Sequence, residues 1–142
     1  ANYVALLGRG PSLASAREGA LLFKEVCARP AEGITGPQFR HGPLELLARP
    51  LTAVLFAAPG PALRMDRALR QDLVRHRAQV LWVSSSREGT PGAHAFRLPP
   101  CFAALTPVFE IVPIQFLTWE LARRAGREPG RLRIASTVTL RE

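Results

Sequence analysis

A chain of 142 residues, 47% of them apolar, fits one domain with a single filled core. Its longest apolar runs, such as 51–61, fall far short of the roughly 20 residues a membrane span needs, and the first run, 3–7, ends at a glycine, unlike a signal peptide. Eighteen arginines against one lysine, Lys24, give a net charge of +8 that favours anionic small molecules, while two cysteines, Cys27 and Cys101, exclude a disulfide framework or a metal quartet and read as small core residues of a reducing, cytoplasmic setting.

In chain order, 3–7 is a short apolar strand ended by Gly8-Arg9-Gly10-Pro11, with Ser12 placed as the N-cap of the first helix. Apolar side chains at 13, 16, 20, 23 and 27 form one buried stripe of that helix, and Pro30 closes it. Residues 35–47 are a connection punctuated by glycine and proline, in which Pro43 starts a short helix. A continuous apolar strand over 51–57 leads through Pro59-Gly60-Pro61 into a helix over 62–77. Residues 79–84 are a third strand and 93–98 a weaker fourth. Thr106 and Pro107 open a last helix, which Pro113 restarts or kinks and Gly126 ends; Ile114, Leu117 and Leu121 carry its apolar face, and 132–140 reads extended.

Strands apolar on both faces and separated by helices predict a parallel sheet of four to five strands covered on both sides. Right-handed crossovers then give a three-layer α/β/α sandwich in one domain over 1–142. Ligands of such sheets bind at the carboxyl ends of the strands, where the 8–12 turn and the Pro59 turn both lie.

Three candidate sites emerge from the residues. Glu18, Leu22, Glu25 and Arg29 line a stripe of the first helix distinct from the buried one, with Glu25 about three and a half turns from Ser12. Glu25 can therefore join a site only if a loop or a second subunit covers that flank; alone it reads as a solvated glutamate. His41, in a His-Gly-Pro turn, alone reads as a hydrogen-bonded surface residue. His76 and His94 share no metal-ligand spacing with it, so no metal site is expected. The Gly8-Arg9-Gly10 turn lacks the third glycine of a dinucleotide fingerprint, although amides at the helix start can hold an anion. Arg64, Arg67, Arg70, Arg75 and Arg77 could form a basic helix face, but without aromatic interleaving or a recognised motif nucleic acid is not the expected partner.

Together, Gly8-Arg9-Gly10-Pro11-Ser12, Glu18-Gly19-Ala20-Leu21 with Lys24-Glu25, and Phe39-Arg40-His41-Gly42-Pro43-Leu44 resemble the SIS (sugar isomerase) family. The similarity is closest to the second SIS half of the isomerase module of glucosamine-6-phosphate synthase and related phosphosugar isomerases. Pro113-Ile114-Gln115, Leu117 and Val138-Thr139-Leu140 resemble that family's last helix and tail. The resemblance implies phosphosugar binding and aldose–ketose isomerisation. Glu25 matches the base that shuttles a proton between C1 and C2 through an enediol, and His41 matches a ring-opening histidine supplied by a neighbouring subunit. Arg9, Ser12 and Lys24 are the expected substrate-binding residues, with no cofactor. The expected partners are a sugar phosphate and a second SIS domain or homodimer partner, the chain being the C-terminal half of a two-SIS protein.

Departures from the synthase bound the activity. Leu22 stands where the synthase has a lysine on the glutamate's helix stripe, and its substrate-bonding lysine falls at about Ser136. The turn at 57–60 offers no hydroxyls for a phosphate, and Ser84-Ser85-Ser86 lies one strand later. Isomerisation or plain binding is therefore expected in preference to amino transfer. A non-catalytic phosphosugar-sensing or structural half is the alternative.

Overall fold

The computed structural model describes residues 3–86, 91–132 and 134. Five strands, β1 (Val4–Leu7), β2 (Ala31–Ile34), β3 (Thr52–Phe56), β4 (Gln79–Ser84) and β5 (His94–Arg97), form one sheet in the order β2-β1-β3-β4-β5. Every pairing is parallel; Val4 lies opposite Ala31 on one side and Thr52 on the other. The helices are α1 (Ser12–Glu25), the short α2 (Gly36–Arg40), α3 (Leu63–Arg75) and α4 (Thr106–Arg124), with 3-10 turns at Pro43–Ala48 and Ala103–Leu105. The expected α/β/α sandwich with a parallel sheet is the architecture found.

The period-two alternation of the strands explains the three layers. Ala5, Leu7, Leu55, Val80 and Trp82 point to one face, where they bury Phe39 of α2 and Leu69 and Leu73 of α3. Val4, Leu6, Val54, Phe56 and Val83 point to the other, against Ala16, Ala20 and Phe23 of α1 and Ile114 of α4. Burial of each large side chain stabilises the fold by roughly 1.5–3 kcal/mol. Since β2 and β3 flank β1 on opposite sides, right-handed crossovers send α1 and α3 to opposite faces and leave a crevice between the ends of β1 and β3.

Several expectations need correcting. Ser12 is the first residue of α1, not its cap: Pro11 occupies the cap position, no side chain caps the helix, and the Ser12 hydroxyl is used elsewhere. The helix ends at Glu25, well before Pro30, and Ala28 turns the chain at φ 50°. Residues 31–34 form an unanticipated strand, and α2 is capped by a reciprocal box in which Thr35 and Gln38 satisfy each other's backbone amides. The last helix does not restart at Pro113 but continues through it to Arg124. Nor is α3 an open basic face: Arg70 is buried with its guanidinium 5.0 Å from the Trp82 ring centre, and Arg75 pairs with Asp72. Of the extended tail expected over 132–140, only 132 and 134 are among the described residues. No helix among the described residues is long and apolar enough to cross a membrane.

Candidate functional site

A cleft of about 180 Å3 opens at the carboxyl ends of β1 and β3. The 9–12 turn, Phe56, the 58–62 turn, Asp66 and Ala103 line it. This is the point where strand order reverses, so the loops leaving β1 and β3 diverge and cannot fill the space between them. Gly10, at φ +53°, lets the first loop turn into α1.

Arg9 projects across this cleft. Its Nε donates to Asp66 Oδ1 at 2.6 Å, tying the β1 loop to the first turn of α3. A Cβ at Gly36 would come within 2.7 Å of an Arg9 guanidinium nitrogen, so the glycine at the start of α2 makes room for that side chain. Burial pushes the Asp66 carboxyl above its usual range, and the hydrogen bond and charge of Arg9 pull it back. Arg9 is thus a cation already held by an internal carboxylate.

Below the cleft lies a second, drier arrangement. Glu110 of α4 is fully buried, and its two oxygens accept hydrogen bonds from Ser12 Oγ at 2.7 Å and Ser15 Oγ at 2.6 Å on the first turn of α1. Burial raises its pKa, and the two serine hydroxyls oppose the shift. The Ser12 side chain is therefore turned inward to Glu110. Ser84, first of the serine cluster, likewise gives its hydroxyl to the Ala57 carbonyl.

Glu25 and His41 line no part of this cleft. Glu25 and Lys24 end α1, which starts at the cleft and runs roughly 20 Å away from it, and both are exposed. His41 is also exposed and follows α2. Its neighbour Arg40 pairs at 2.7 Å with Asp72, about two and a half turns down α3, so the segment descends the flank of the sheet. Arg9 and Ser12 come together at the cleft; Lys24, Glu25 and His41 stand outside it. Asp66 and Glu110 were not singled out in the sequence. Glu110 had a signal, as the one charged residue between Arg97 and Glu120, and a lone carboxylate in so apolar a stretch points to a buried, paired group. Among the described residues no group of three or more His, Cys, Asp or Glu could hold a metal.

Known proteins resemble the chain throughout. Glutamine–fructose-6-phosphate aminotransferase (isomerizing) of Bordetella pertussis is 31% identical over 139 residues, covering 94% of this chain. The enzyme of the same name from Acidithiobacillus ferridurans is 31% identical over 144 residues, covering 98%. The chain spans only 23% of the length of each of these relatives. Among solved structures, the C-terminal domain of glucosamine-fructose-6-phosphate aminotransferase from Francisella tularensis superposes with a TM-score of 0.83 at 22% identity, over 92% of this chain and 38% of that one. Tagatose-6-phosphate ketose/aldose isomerase from Escherichia coli does so with a TM-score of 0.79 at 24% identity, over 90% and 37%; at these identities the likeness shows the fold. The SIS domain pattern itself matches residues 1–99, more than half of the sequence and the part that holds β1 to β5. The chain belongs to the SIS domain family.

Proposed function

We propose that this chain is a phosphosugar-binding SIS domain that contributes Glu25 and His41 to the aldose–ketose isomerisation of a hexose phosphate. Its place is the C-terminal half of a two-SIS protein of the cytoplasm, akin to the isomerase portion of glutamine–fructose-6-phosphate aminotransferase. Membership of the family carries the reading, because the residues matching its motifs lie within the matched 1–99 region. The exposure of both Glu25 and His41 supports a shared site: each stands at the end of a helix, accessible to another domain or subunit. Covering that flank would dry the carboxylate and make it a better base.

In the proposed reaction Glu25 removes the proton from C2 of the open-chain aldose to give an enediolate, and the same carboxyl returns that proton to C1 while the proton of the C2 hydroxyl passes to O1, leaving the ketose. His41 assists ring opening by moving a proton to the ring oxygen. Lys24, beside Glu25 on the last turn of α1, and the positive field of the chain draw the phosphate. Replacing Glu25 by Gln is expected to abolish aldose–ketose turnover while leaving the circular dichroism spectrum unchanged; a Glu25→Gln protein of full activity would show that Glu25 is not the base.

Specific observations favour a second reading, a non-catalytic sensing or structural half. Leu22 replaces an amine, the 57–60 turn has no hydroxyls, and Arg9 and Ser12 are committed to Asp66 and Glu110. Calorimetry with hexose phosphates separates the two, since heat of binding without turnover belongs to the sensor.

A further inference from the structure

Two guanidinium groups meet at the far end of α1 with no carboxylate between them. The helix closes in a left-handed turn: Ala28 sits at φ 50°, and the amide of Arg29 reaches back to the Phe23 carbonyl at 3.0 Å. That bond fixes Arg29 beside the last helical turn through its backbone alone. From beyond the end of α4, Arg127 donates its Nε to the Val26 carbonyl at 3.1 Å. Its two terminal nitrogens make no hydrogen bond among the described residues. Burial pushes the Cys27 thiol up, and the charges of Arg29 and Arg127 both act against that rise, so both arginines lie close to this one residue. Each of the two is half-buried.

Their lack of a countercharge is specific to this spot. Arg123 and Arg124 pair with Glu120, and Arg131 pairs with Glu128, whereas Arg29 and Arg127 pair with no carboxylate among the described residues. Half-buried like charges repel each other and lose hydration. The carbonyl end of α1 supplies about −0.5 of an elementary charge, which leaves roughly +1.5 unbalanced. A phosphate monoester carries about −1.5 to −2 at pH 7 and presents three acceptor oxygens, matching both the missing charge and the unused donors. Beside Arg127 lies a hollow of about 440 Å3, lined also by Gly126, Glu128, Arg131 and Leu132 and within the size range of small-ligand sites.

We infer that Arg29 and Arg127 form a phosphate subsite at the Glu25 end of α1, remote from the Arg9 cleft. Its assignment to a sugar phosphate rests on the function proposed above, to which it adds what holds the phosphate. Glu25 directly precedes Val26, whose carbonyl Arg127 holds, and stands four residues before Arg29. A hexose 6-phosphate carries its phosphate at the opposite end of the carbon chain from C1 and C2. With the phosphate on the two guanidinium groups, the reacting end is left to reach the Glu25 carboxylate. The strand-end cleft offers less to a phosphate, since the 57–60 turn has no hydroxyl and Arg9 is held by Asp66.

The test is calorimetry of the full-length protein carrying this sequence, in phosphate-free buffer, with inorganic phosphate, glucose 6-phosphate, fructose 6-phosphate and glucose. Inorganic phosphate is expected to bind the wild type, a hexose phosphate to displace it and bind more tightly, and glucose to give no heat. Arg29→Gln leaves the backbone bond to Phe23 in place and should weaken binding of both phosphates by at least about tenfold, as loss of a charge-assisted hydrogen bond does. Arg29→Lys, which keeps the charge, should recover part of that affinity. Arg127→Gln should weaken binding similarly, with the circular dichroism spectrum reporting that α1 survives loss of the Val26 bond. A thermal readout separates binding from a merely structural role. Without phosphate, Arg29→Gln should melt no lower than the wild type, because a repulsion is relieved; phosphate should raise the melting temperature of the wild type and barely move that of the variant.

Absence of phosphate binding, an affinity that survives Arg29→Gln, or bound phosphate that neither hexose phosphate displaces overturns the inference. Glu25→Gln reads the isomerase claim separately, since it should bind hexose phosphate like the wild type while losing turnover. An inactive Glu25→Gln protein beside an Arg29→Gln protein of unchanged affinity removes the subsite and keeps the base. A fully active Glu25→Gln protein beside a weakened Arg29→Gln protein keeps the subsite and removes the base.

Discussion

At the scale of single residues, Glu110 ties α4 to the first turn of α1 at a cost that depends on pH. Its carboxyl is fully buried, and burial raises its pKa above the usual 4.5 despite hydrogen bonds from Ser15 and Ser12. The folded protein therefore holds this proton more tightly than the unfolded chain. Its contribution to stability is complete below pH 4.5 and is lost as pH rises through the elevated folded pKa. Glu110→Gln keeps the shape and the acceptor oxygen but cannot ionise. Its melting temperature should match the wild type at low pH and rise progressively above it as pH increases. Asp66, raised in the same direction, is common to both proteins and cancels in the difference. A gap between the two proteins that narrows with increasing pH would sink the idea. Glu110→Ala, which strands two buried hydroxyls beside a cavity, should cost about 2–4 kcal/mol in denaturant unfolding at any pH. The pairing itself was not legible in the sequence, because Ser12 and Ser15 lie 98 and 95 residues from Glu110 and only the tertiary fold brings them together.

At the scale of elements, the central strands were the plainest in the sequence. The strands at 4–7, 52–56 and 79–84 are central or flanked on both sides, so their residues form unbroken apolar runs. The edge strand β2 is half-buried and reads Ala-Glu-Gly-Ile, with glycine where β propensity would place a branched residue. The reason lies in the neighbouring helix: a Cβ on Gly33 would collide with the backbone carbonyl of Ala16 and the backbone of Arg17. Close approach of α1 to the sheet is thus obtained by sacrificing the local signal that would have marked the strand. Gly33→Ala, favourable by propensity alone, should instead lower stability by roughly 1–3 kcal/mol as α1 is pushed off the sheet. Chemical denaturation measures this. A neutral or stabilising result would mean that the helix can shift without loss. The α2 helix was missed for a different reason, since five residues are too few for a periodic pattern and only its Thr35–Gln38 capping box marked it.

At the scale of the whole molecule, α1 bridges two regions with different chemistry. Its first turn belongs to the cleft with Arg9 and Asp66, and its last carries Lys24 and Glu25 to open surface. The cleft was foreseen from the rule of strand ends, whereas the outward placement of Glu25 followed from counting helical turns. What a single chain leaves open is whether Glu25 and His41 serve one site. If the histidine of each site comes from the other subunit, as the resemblance to the family implies, Glu25→Gln and His41→Ala should each be inactive alone. Mixed after reversible dissociation, they should regain about a quarter of wild-type activity. Half of the randomly reassorted dimers are mixed, and each mixed dimer holds one intact site of two. No recovery between folded, dimeric variants would mean that one chain supplies both residues, and the exposed flank of α1 would then have to close over its own His41.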